Sequence, residues 1–264
     1  CKYRDIRCRT KCNKESLISL SIKLDSIISW VLTQLFLYFW KMQLFYLENP
    51  GDEIILTAEE SKHATRVLRK KEGDILNFTN GKGNLYKAKI TIADTRKCRL
   101  KIVNNEQKEK QHNYHLHIAI APTKNMDRFE WFLEKATEIG VDEITPIICS
   151  HSERKVVKTE RGNRILLSAM KQSLKYHLPK LNEAISATDF IKKDFNGSKY
   201  IAHCEDGEKQ ELKTINKTDK YLILIGPEGD FSQKEIDLAF QKKFEAVSLG
   251  TSRFRTETAG MIAA

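Results

Sequence analysis

The 264-residue sequence has few of the residues that mark flexible, fibrous or membrane-spanning chains. It contains only 12 glycines and 5 prolines, which argues against long flexible linkers. Hydrophobic residues make up 41% of the chain and charged residues 30%, a balance that excludes a wholly disordered protein, a collagen-like fibre and a polytopic membrane protein. The length is sufficient for one large domain or two small ones with a real hydrophobic core.

The six cysteines offer little support for a metal site. Cys98, Cys149 and Cys204 are widely spaced, which is typical of reduced thiols and predicts a cytoplasmic protein. Cys8 and Cys12 have the spacing of half a metal site, but no second pair with ligand spacing follows them. We therefore expect no bound metal.

Residues 1–41 differ from the rest of the chain, because eight Lys/Arg against three acidic residues give them a charge of +5. Their apolar stretch is interrupted by Lys23 and Asp25, and the remaining 15 residues, 26–40, are shorter than the roughly 20 that span a bilayer. We interpret residues 1–41 as a non-native upstream leader before a natural start at Met42. A membrane anchor and a docking helix are the alternatives.

From Met42 onward, short strands give way to alternating strands and helices. The first part predicts a small β-barrel, with a helix at 59–70 and strands at 43–47, 54–57, 75–79, 85–92 and 98–103. The polar stretch 104–111 is a plausible linker. The second part predicts an α/β domain with a mainly parallel sheet, with helices at 127–139, 161–178, 232–240 and from 257 onward.

Two strand-to-loop junctions carry the strongest signals for a binding site. The first reads Gly226-Pro-Glu-Gly-Asp-Phe-Ser and follows the apolar strand 221–225. Ligands of open α/β sheets sit at the carboxyl ends of strands, and glycines there let the backbone approach a ligand. An ordinary βα turn is the alternative. Ser232 with Glu235 predicts a capping box for the next helix.

The second junction reads Leu249-Gly-Thr-Ser-Arg-Phe-Arg-Thr-Glu-Thr-Ala. Its arginines, Arg253 and Arg255, are candidates for binding phosphate, and Glu257 is a candidate partner for one of them. A salt bridge at the start of a helix is the alternative. Neither junction has the spacing of a P-loop or of Gly-x-Gly-x-x-Gly, so those nucleotide sites are poorly supported.

Together the two junctions resemble the RsmE family, the small-subunit ribosomal RNA uracil-N3 methyltransferases of the SPOUT superfamily. Other segments agree with the resemblance, which extends from Met42 to Ala264: His63-x-x-x-Val67-Leu-Arg69 with Gly73-Asp74, Lys124, Glu134-Lys-x-Thr-Glu138-x-Gly140-Val, and Gln172-Ser173 with Pro179.

The sequence departs from the family pattern at three places. Asp230 stands where the family usually has a second glycine, and it adds negative charge beside the loop that the family uses for its cofactor. Arg253-Phe254-Arg255 replaces the usual Ile-Leu-Arg, and Lys175 replaces an arginine.

The resemblance implies the fold class α/β, with a PUA-like RNA-binding β-barrel at 42–111 and a SPOUT α/β-knot (trefoil knot) methyltransferase domain at 112–264. It also implies S-adenosylmethionine as the cofactor, a homodimer, 16S ribosomal RNA of the small ribosomal subunit as the partner, and no membrane. The implied cofactor-binding residues are His203, Cys204, Glu205, Gly226, Pro227, Glu228, Gly229, Leu249, Gly250, Arg253 and Phe254.

The implied reaction is methylation of N3 of a uridine in 16S ribosomal RNA, of the m3U1498 type. The N3 proton must leave and the base must be unpaired or extruded, since N3 is engaged in pairing. Arg255 is a candidate for stabilising the uracil anion, and Glu257 for orienting it or taking the proton. A structural salt bridge between the two is the alternative.

For RNA binding, the sequence offers a basic cluster beside the first helix, formed by Lys62, His63, Arg66, Arg69 and Lys70. Helical spacing places Lys62, Arg66 and Arg69 on similar faces. The alternative for the cluster is a solvated basic face that binds no RNA. For His63, the alternative to RNA binding is a structural role. Two other functions stay open: a non-catalytic RNA-binding factor for ribosome assembly, and the same enzyme type acting on a different RNA.

Overall fold

The chain builds two sheets in succession, each from the strands that its alternating and apolar segments predict. The structure, a computed structural model, describes residues 43–264, and Leu44–Ala264 form one unit. The interpretations of residues 1–41 lie outside the described residues. Within residues 43–264, no helix combines the length and the apolar character needed to cross a bilayer.

The first sheet has five strands in the order β1-β3-β4-β5-β2. Only β1 and β3 run parallel. The strands are β1 (Leu44–Tyr46), β2 (Glu53–Ile55), β3 (Ile75–Thr79), β4 (Asn84–Ile92) and β5 (Arg99–Gln107). Its concave side is filled by Phe45, Ile54, Phe78, Ile90 and Leu100. The edge strands β1 and β2 do not pair with each other, so the sheet does not close, and the predicted barrel is a half-barrel.

The polar stretch predicted as a linker begins inside β5, so that prediction is wrong for residues 104–107. These residues pair with β4 across its whole first half. Glu106 forms ion pairs with Lys87 at 3.0 Å and with Lys108 at 2.7 Å. The polar residues therefore form an exposed strand, and their hydrophilicity reflects solvent contact.

The predicted helix 59–70 is also shorter than expected. α1 (Ala58–Lys62) is followed by one π-helical turn (His63–Val67), and the chain then leaves the helix at Arg69, where φ is +54°. The hydroxyl of Ser61 accepts a hydrogen bond from the backbone N–H of Cys98 at 3.0 Å and so attaches α1 to the sheet. Val67, the last residue of the π-helical turn, is 64% exposed.

The second sheet is entirely parallel, with the order β11-β13-β10-β12-β6-β7-β8 and β9 beside β7. Its elements are β6 (His115–Ile120), α2 (Met126–Ile139), β7 (Glu143–Ile148), α3 (Thr159–Gln172), β8 (Lys180–Leu181), β9 (Ile185–Ser186), α4 (Ala187–Lys192), β10 (Ser198–Ala202), β11 (Gln210–Glu211), β12 (Lys220–Ile225), α5 (Gln233–Gln241), β13 (Glu245–Ser248) and α6 (Thr256–Ala263). The predicted α/β class is confirmed.

Helices cover both faces of this sheet, as the nearly continuous apolar strands require. On one face, Ile118 and Ile120 pack with residues of α2, α3 and α6, including Phe132 and Leu166. On the other face, the core contains Ile201 of β10 and residues of α4 and α5. The capping box predicted at Ser232 and Glu235 is present at the start of α5.

α3 ends at Gln172, six residues before the predicted end, because the following segment joins the first sheet. Leu174 takes φ of +55°. The backbone N–H of Gly83 then donates to the carbonyl of Tyr176 at 2.8 Å, and the N–H of Leu178 donates to the carbonyl of Gly81 at 2.8 Å. The hairpin turn between β3 and β4 is thus bonded directly to the α/β part.

Candidate functional site

A cleft of about 840 Å³ lies at the carboxyl ends of three adjacent strands, β13, β10 and β12. The loops that follow these strands form its walls. This is the position at which open α/β sheets bind ligands, because loops from neighbouring parallel strands meet at one edge.

Ten of the eleven predicted cofactor-binding residues line this cleft. They are His203, Cys204, Gly226, Pro227, Glu228, Gly229, Leu249, Gly250, Arg253 and Phe254. Glu205 does not line it; its backbone carbonyl instead accepts a hydrogen bond from Lys209 at 2.5 Å. Of the two predicted catalytic residues, Arg255 lines the cleft and Glu257 does not.

Asp230 joins two of the cleft loops through its carboxylate. Oδ2 accepts a hydrogen bond from the backbone N–H of Cys204 at 2.6 Å, and Oδ1 accepts one from the N–H of Phe231 at 2.8 Å. The backbone of Asp230 has φ of +61°, in the left-handed region that favours glycine and tolerates aspartate. The sequence indicated only the added charge; the structure gives both oxygens a backbone donor.

Loops after β6 and β7 support the same wall, and sequence reasoning did not assign them to the site. The backbone N–H of Lys124 donates to Glu228 Oε1 at 3.2 Å. His151 Nδ1 donates to the carbonyls of Gly229, at 3.0 Å, and Asp230, at 3.2 Å. His151 belongs to no motif that the sequence offered, so no signal pointed to it.

The loop after β10 is closed by Lys209, a cleft residue that the sequence did not single out. Its Nζ donates to the carbonyl of His203 at 2.8 Å. Burial, followed by the nearby ammonium of Lys209, lowers the pKa of His203, so its imidazole is neutral at pH 7. Neither buried ring nitrogen of His203 has a hydrogen-bond partner in the described part of the chain.

The segment 249–255, after β13, forms the opposite wall and is held differently. Its hydrogen bonds lie at its two ends: Gly250 bonds to Ser248 Oγ, and the carbonyl of Arg255 accepts from Ala259 in α6. The residues between these ends are exposed, and Phe254 is 37% exposed.

Glu257 pairs with a residue that the sequence did not suggest. It is 7% exposed, and its Oε1 lies 3.7 Å from Nε of Arg128 in α2. Its buried Oε2 has no partner among residues 43–264. The alternative of a salt bridge to Arg253 or Arg255 is therefore wrong, since neither arginine forms an ion pair within the described residues.

Two of the three cleft glycines, Gly226 and Gly250, occupy positions that disfavour a side chain. A Cβ at Gly226 would lie 3.0 Å from the Phe231 ring and 3.3 Å from the Asp230 carboxylate. Gly250 has φ of +131°, a conformation that residues with side chains rarely adopt.

The basic cluster predicted for RNA binding is exposed at Lys62, Arg66 and Arg69, and half-buried at Lys70. The prediction that Lys62, Arg66 and Arg69 share a helical face is wrong for Arg69, which lies beyond the π-helical turn His63–Val67 with φ of +54°. His63 packs edge-on against Phe45 at 6.0 Å between ring centroids, which favours its structural role.

The part of the chain that contains the first sheet, residues 43–111, carries most of the net positive charge of residues 43–264. Residues 43–111 hold 14 Lys/Arg and 10 acidic residues, whereas residues 112–264 hold 23 and 22. On its convex face, Lys89 and Lys101 are paired across β4 and β5, and Arg99 follows on β5. All three are exposed and, within residues 43–264, form no ion pair; Glu53 lies opposite Lys101.

No group of three or more His, Cys, Asp or Glu side chains within residues 43–264 is placed to hold a metal ion. The half-site at Cys8 and Cys12 lies outside these residues.

Comparison with known proteins agrees with this geometry. Residues 109–264 match the family model of an RNA methyltransferase domain, and residues 50–103 match that of an RNA methyltransferase PUA domain. Ribosomal RNA small subunit methyltransferase E of Rickettsia conorii is 30% identical over 81% of this chain and 88% of its own length. That of Aquifex aeolicus is 29% identical over 83% and 95%.

Two solved structures share the fold. A probable rRNA methyltransferase from Porphyromonas gingivalis is 41% identical, with a TM-score of 0.80 over 84% of this chain and 95% of its own. Ribosomal RNA small subunit methyltransferase E from Neisseria gonorrhoeae, solved bound to S-adenosylmethionine, is 26% identical, with a TM-score of 0.73 over 84% and 94%.

The PUA domain, together with the methyltransferase domain whose strand ends form the cleft, thus places the chain in the class of RNA methyltransferases. Within this class, the chain belongs to the ribosomal RNA small subunit methyltransferase E family, RsmE.

Proposed function

We propose that this protein transfers a methyl group from S-adenosylmethionine to N3 of a uridine in 16S ribosomal RNA, at the m3U1498 type of site. The observation that carries the proposal is the strand-end cleft in a chain of the RsmE family, a member of which was solved with this cofactor bound.

The residues of the cleft fit this cofactor. The volume of about 840 Å³ is in the range of cavities that enclose small molecules. The unpartnered ring nitrogens of neutral His203 offer one donor and one acceptor, and the exposed Glu228 carboxylate suits ribose hydroxyls. When bound, the cofactor supplies an electrophilic methyl group.

Arg255 is the residue that we assign to charge stabilisation at the target base. It lines the cleft and is exposed, and no carboxylate within residues 43–264 neutralises it. A uracil that loses its N3 proton carries negative charge, which a nearby guanidinium stabilises. We assign Glu257 to positioning: its carboxylate lies in the first turn of α6, bound to Arg128, and orients the segment that presents Arg255.

We assign RNA binding to the part of the chain that contains the first sheet. Its excess of positive charge suits the phosphate backbone, and two exposed groups of cations are available there. One is the predicted cluster at Lys62, Arg66 and Arg69; the other is the convex-face group of Lys89, Arg99 and Lys101, defined above.

We also propose the finer features of the family fold for this chain: a knotted α/β domain at 112–264, a homodimer and a cytoplasmic location. The return of α6 across the sheet supports the knot, since Gly260 packs against Ile120 of β6 and Phe132 of α2. Light scattering of the purified protein tests the dimer.

The decisive test has two measurements. Calorimetry with S-adenosylmethionine should show saturable binding. Mass spectrometry should show that 16S ribosomal RNA from a deletion strain lacks one N3-methyluridine. Binding of 30S particles without cofactor binding or methylation would instead support the non-catalytic assembly factor. Loss of a methyl group from another RNA would identify a different target.

RNA binding is tested by neutralising each cation group separately, with alanine substitutions. Loss of three phosphate contacts should lower the slope of log affinity against log salt by roughly 2 to 3. Substituting exposed Lys192 and Lys193 of the α/β part serves as the control. Unchanged salt dependence for both groups would exclude the first sheet as the RNA-binding surface.

A further inference from the structure

We propose that Asp230 is a positioning residue that bonds the loop after β10 to the loop after β12 and thereby holds one wall of the cleft in its binding shape. The inference rests on the proposed function only in treating the cleft as the site of S-adenosylmethionine.

The contacts of Asp230 reach three strand ends. Its Oδ2 accepts from Cys204 after β10, at 2.6 Å, and its own backbone belongs to the loop after β12. Its carbonyl accepts from His151 after β7, at 3.2 Å. The backbone N–H of Asp230 donates to the carbonyl of Pro227 at 2.9 Å, which fixes the turn from which the carboxylate projects.

A hydrogen bond from an N–H to a carboxylate is stronger than one between neutral groups, because the acceptor is charged. The glycine usual in this family at position 230 has no side chain that could make either bond. Within residues 43–264, the other hydrogen bonds of the loop after β10 stay inside the loop, through Lys209. The aspartate therefore supplies a connection between the two loops that the usual family residue lacks.

The chain tolerates the aspartate at small backbone cost. Its φ of +61° is accessible to Asp and Asn, more readily than to other residues with side chains. Two substitutions therefore separate the bonds from the backbone. Asp230→Asn keeps the shape and the φ but removes the charge and one of the two acceptor oxygens, whereas Asp230→Gly removes both acceptors and relaxes the backbone. Lys243→Gly is the matched control, because Lys243 has φ of +62° outside the cleft.

The first test needs no cofactor. Hydrogen exchange of the Cys204 amide, followed by NMR, should accelerate in both Asp230 variants and not in Lys243→Gly. Alkylation of Cys204, resolved by peptide mass spectrometry, should accelerate as well. Burial, and then the Asp230 carboxylate, raise the pKa of the Cys204 thiol, so removing the carboxylate favours the reactive thiolate.

The second test is binding of S-adenosylmethionine by calorimetry together with steady-state kinetics. Both Asp230 variants should bind about tenfold more weakly, the loss expected for one charge-assisted hydrogen bond. The KM for the cofactor should rise, with kcat at saturating cofactor nearly unchanged, because the wall positions the cofactor and does not contact the reacting base. Lys243→Gly should match the wild type.

Unchanged Cys204 exchange and affinity within twofold of wild type in both variants would overturn the proposal. Equal loss of kcat and affinity with a lower melting temperature would also overturn it, since general destabilisation would then explain the effect. A third outcome separates the two proposals. If Cys204 exchange accelerates in the Asp230 variants but the wild-type protein binds no S-adenosylmethionine, the bond between the loops is supported and the proposed function is refuted.

Discussion

The two walls of the cleft are built on different principles. In the wall formed by the loops after β10 and β12, the side chains of Asp230, Glu228 and His151 bond to backbone atoms of neighbouring loops. Lys209 bonds within its own loop, to the carbonyl of His203. Among the residues that the structure describes, the wall formed by residues 249–255 has hydrogen bonds only at its two ends, and its middle is exposed.

This difference separates two tasks. A preorganised wall lowers the entropy lost on binding, which suits recognition of a small ligand. A segment with few hydrogen bonds to its surroundings opens at low free energy, which suits an element that must admit a large RNA. We therefore expect substitutions in the first wall to alter cofactor affinity and those in the second to alter methyl transfer as well.

The largest effect should come from the end of the weakly attached wall. Arg255→Ala should lower single-turnover methylation of 30S particles about 100-fold at saturating cofactor, as loss of a charge-stabilising group does. Cofactor affinity and melting temperature should stay near wild type. Arg164→Ala, an exposed arginine of α3, is the control. A near-normal transfer rate in Arg255→Ala would remove this residue from the mechanism.

Glu257→Gln should give a smaller loss of transfer, about tenfold, because its carboxylate acts through the start of α6. Replacing Arg128 by Ala should produce a similar loss, and the double variant should be no worse than either single one. Additive losses would mean that Glu257 acts independently of Arg128. The measurement is again single-turnover methylation, with a thermal melt alongside.

Substitution by valine at Gly226 in one wall and at Gly250 in the other compares the two walls directly. Gly226→Val should lower both cofactor affinity and melting temperature, because the added Cβ meets the buried Phe231 ring. Gly250→Val should weaken cofactor binding roughly tenfold with a smaller change in melting temperature, since its φ of +131° lies in an exposed segment. Gly73→Val in the first sheet, with φ of +91°, controls for backbone strain. Equal effects at both glycines would contradict the difference between the walls.

The smallest effect concerns pH. Because the pKa of His203 is lowered, the imidazole stays neutral as the pH falls through the usual value of about 6.5. Affinity for the positively charged cofactor should thus be constant down to that pH and weaken below it, when His203 gains a proton. His203→Asn should abolish the weakening. Calorimetry across the pH range measures both proteins.

Local patterns were sufficient for the α/β class and for the position of the cleft. The apolar strand 221–225 and the glycines beyond it fix a strand end, and a parallel sheet brings such ends together. Asp230, in contrast, has a partner 26 residues earlier in the chain, and Glu257 has one in α2. Such pairings depend on tertiary structure, so spacing in the sequence does not reveal them.

Element ends were predicted least well for the same reason. No glycine or asparagine in the sequence marks the end of α3 at Gln172, and the left-handed conformation there is taken by Leu174. The backbone groups of Tyr176 and Leu178 then bond to the turn of the first sheet. The polar residues 104–107 resemble a linker because solvent-exposed strands and linkers are both rich in polar residues.

The bonds between the hairpin turn at Gly81 and Gly83 and the segment after α3 have a consequence for target choice. They hold the first sheet at a fixed distance from the cleft. If the sheet binds RNA and Arg255 acts at the target base, as proposed, a bound RNA presents to Arg255 only a nucleotide at a fixed distance along its folded path, whatever its neighbours are. Selection of one uridine among many can then be a measurement of length in the folded ribosomal subunit, with little reading of sequence.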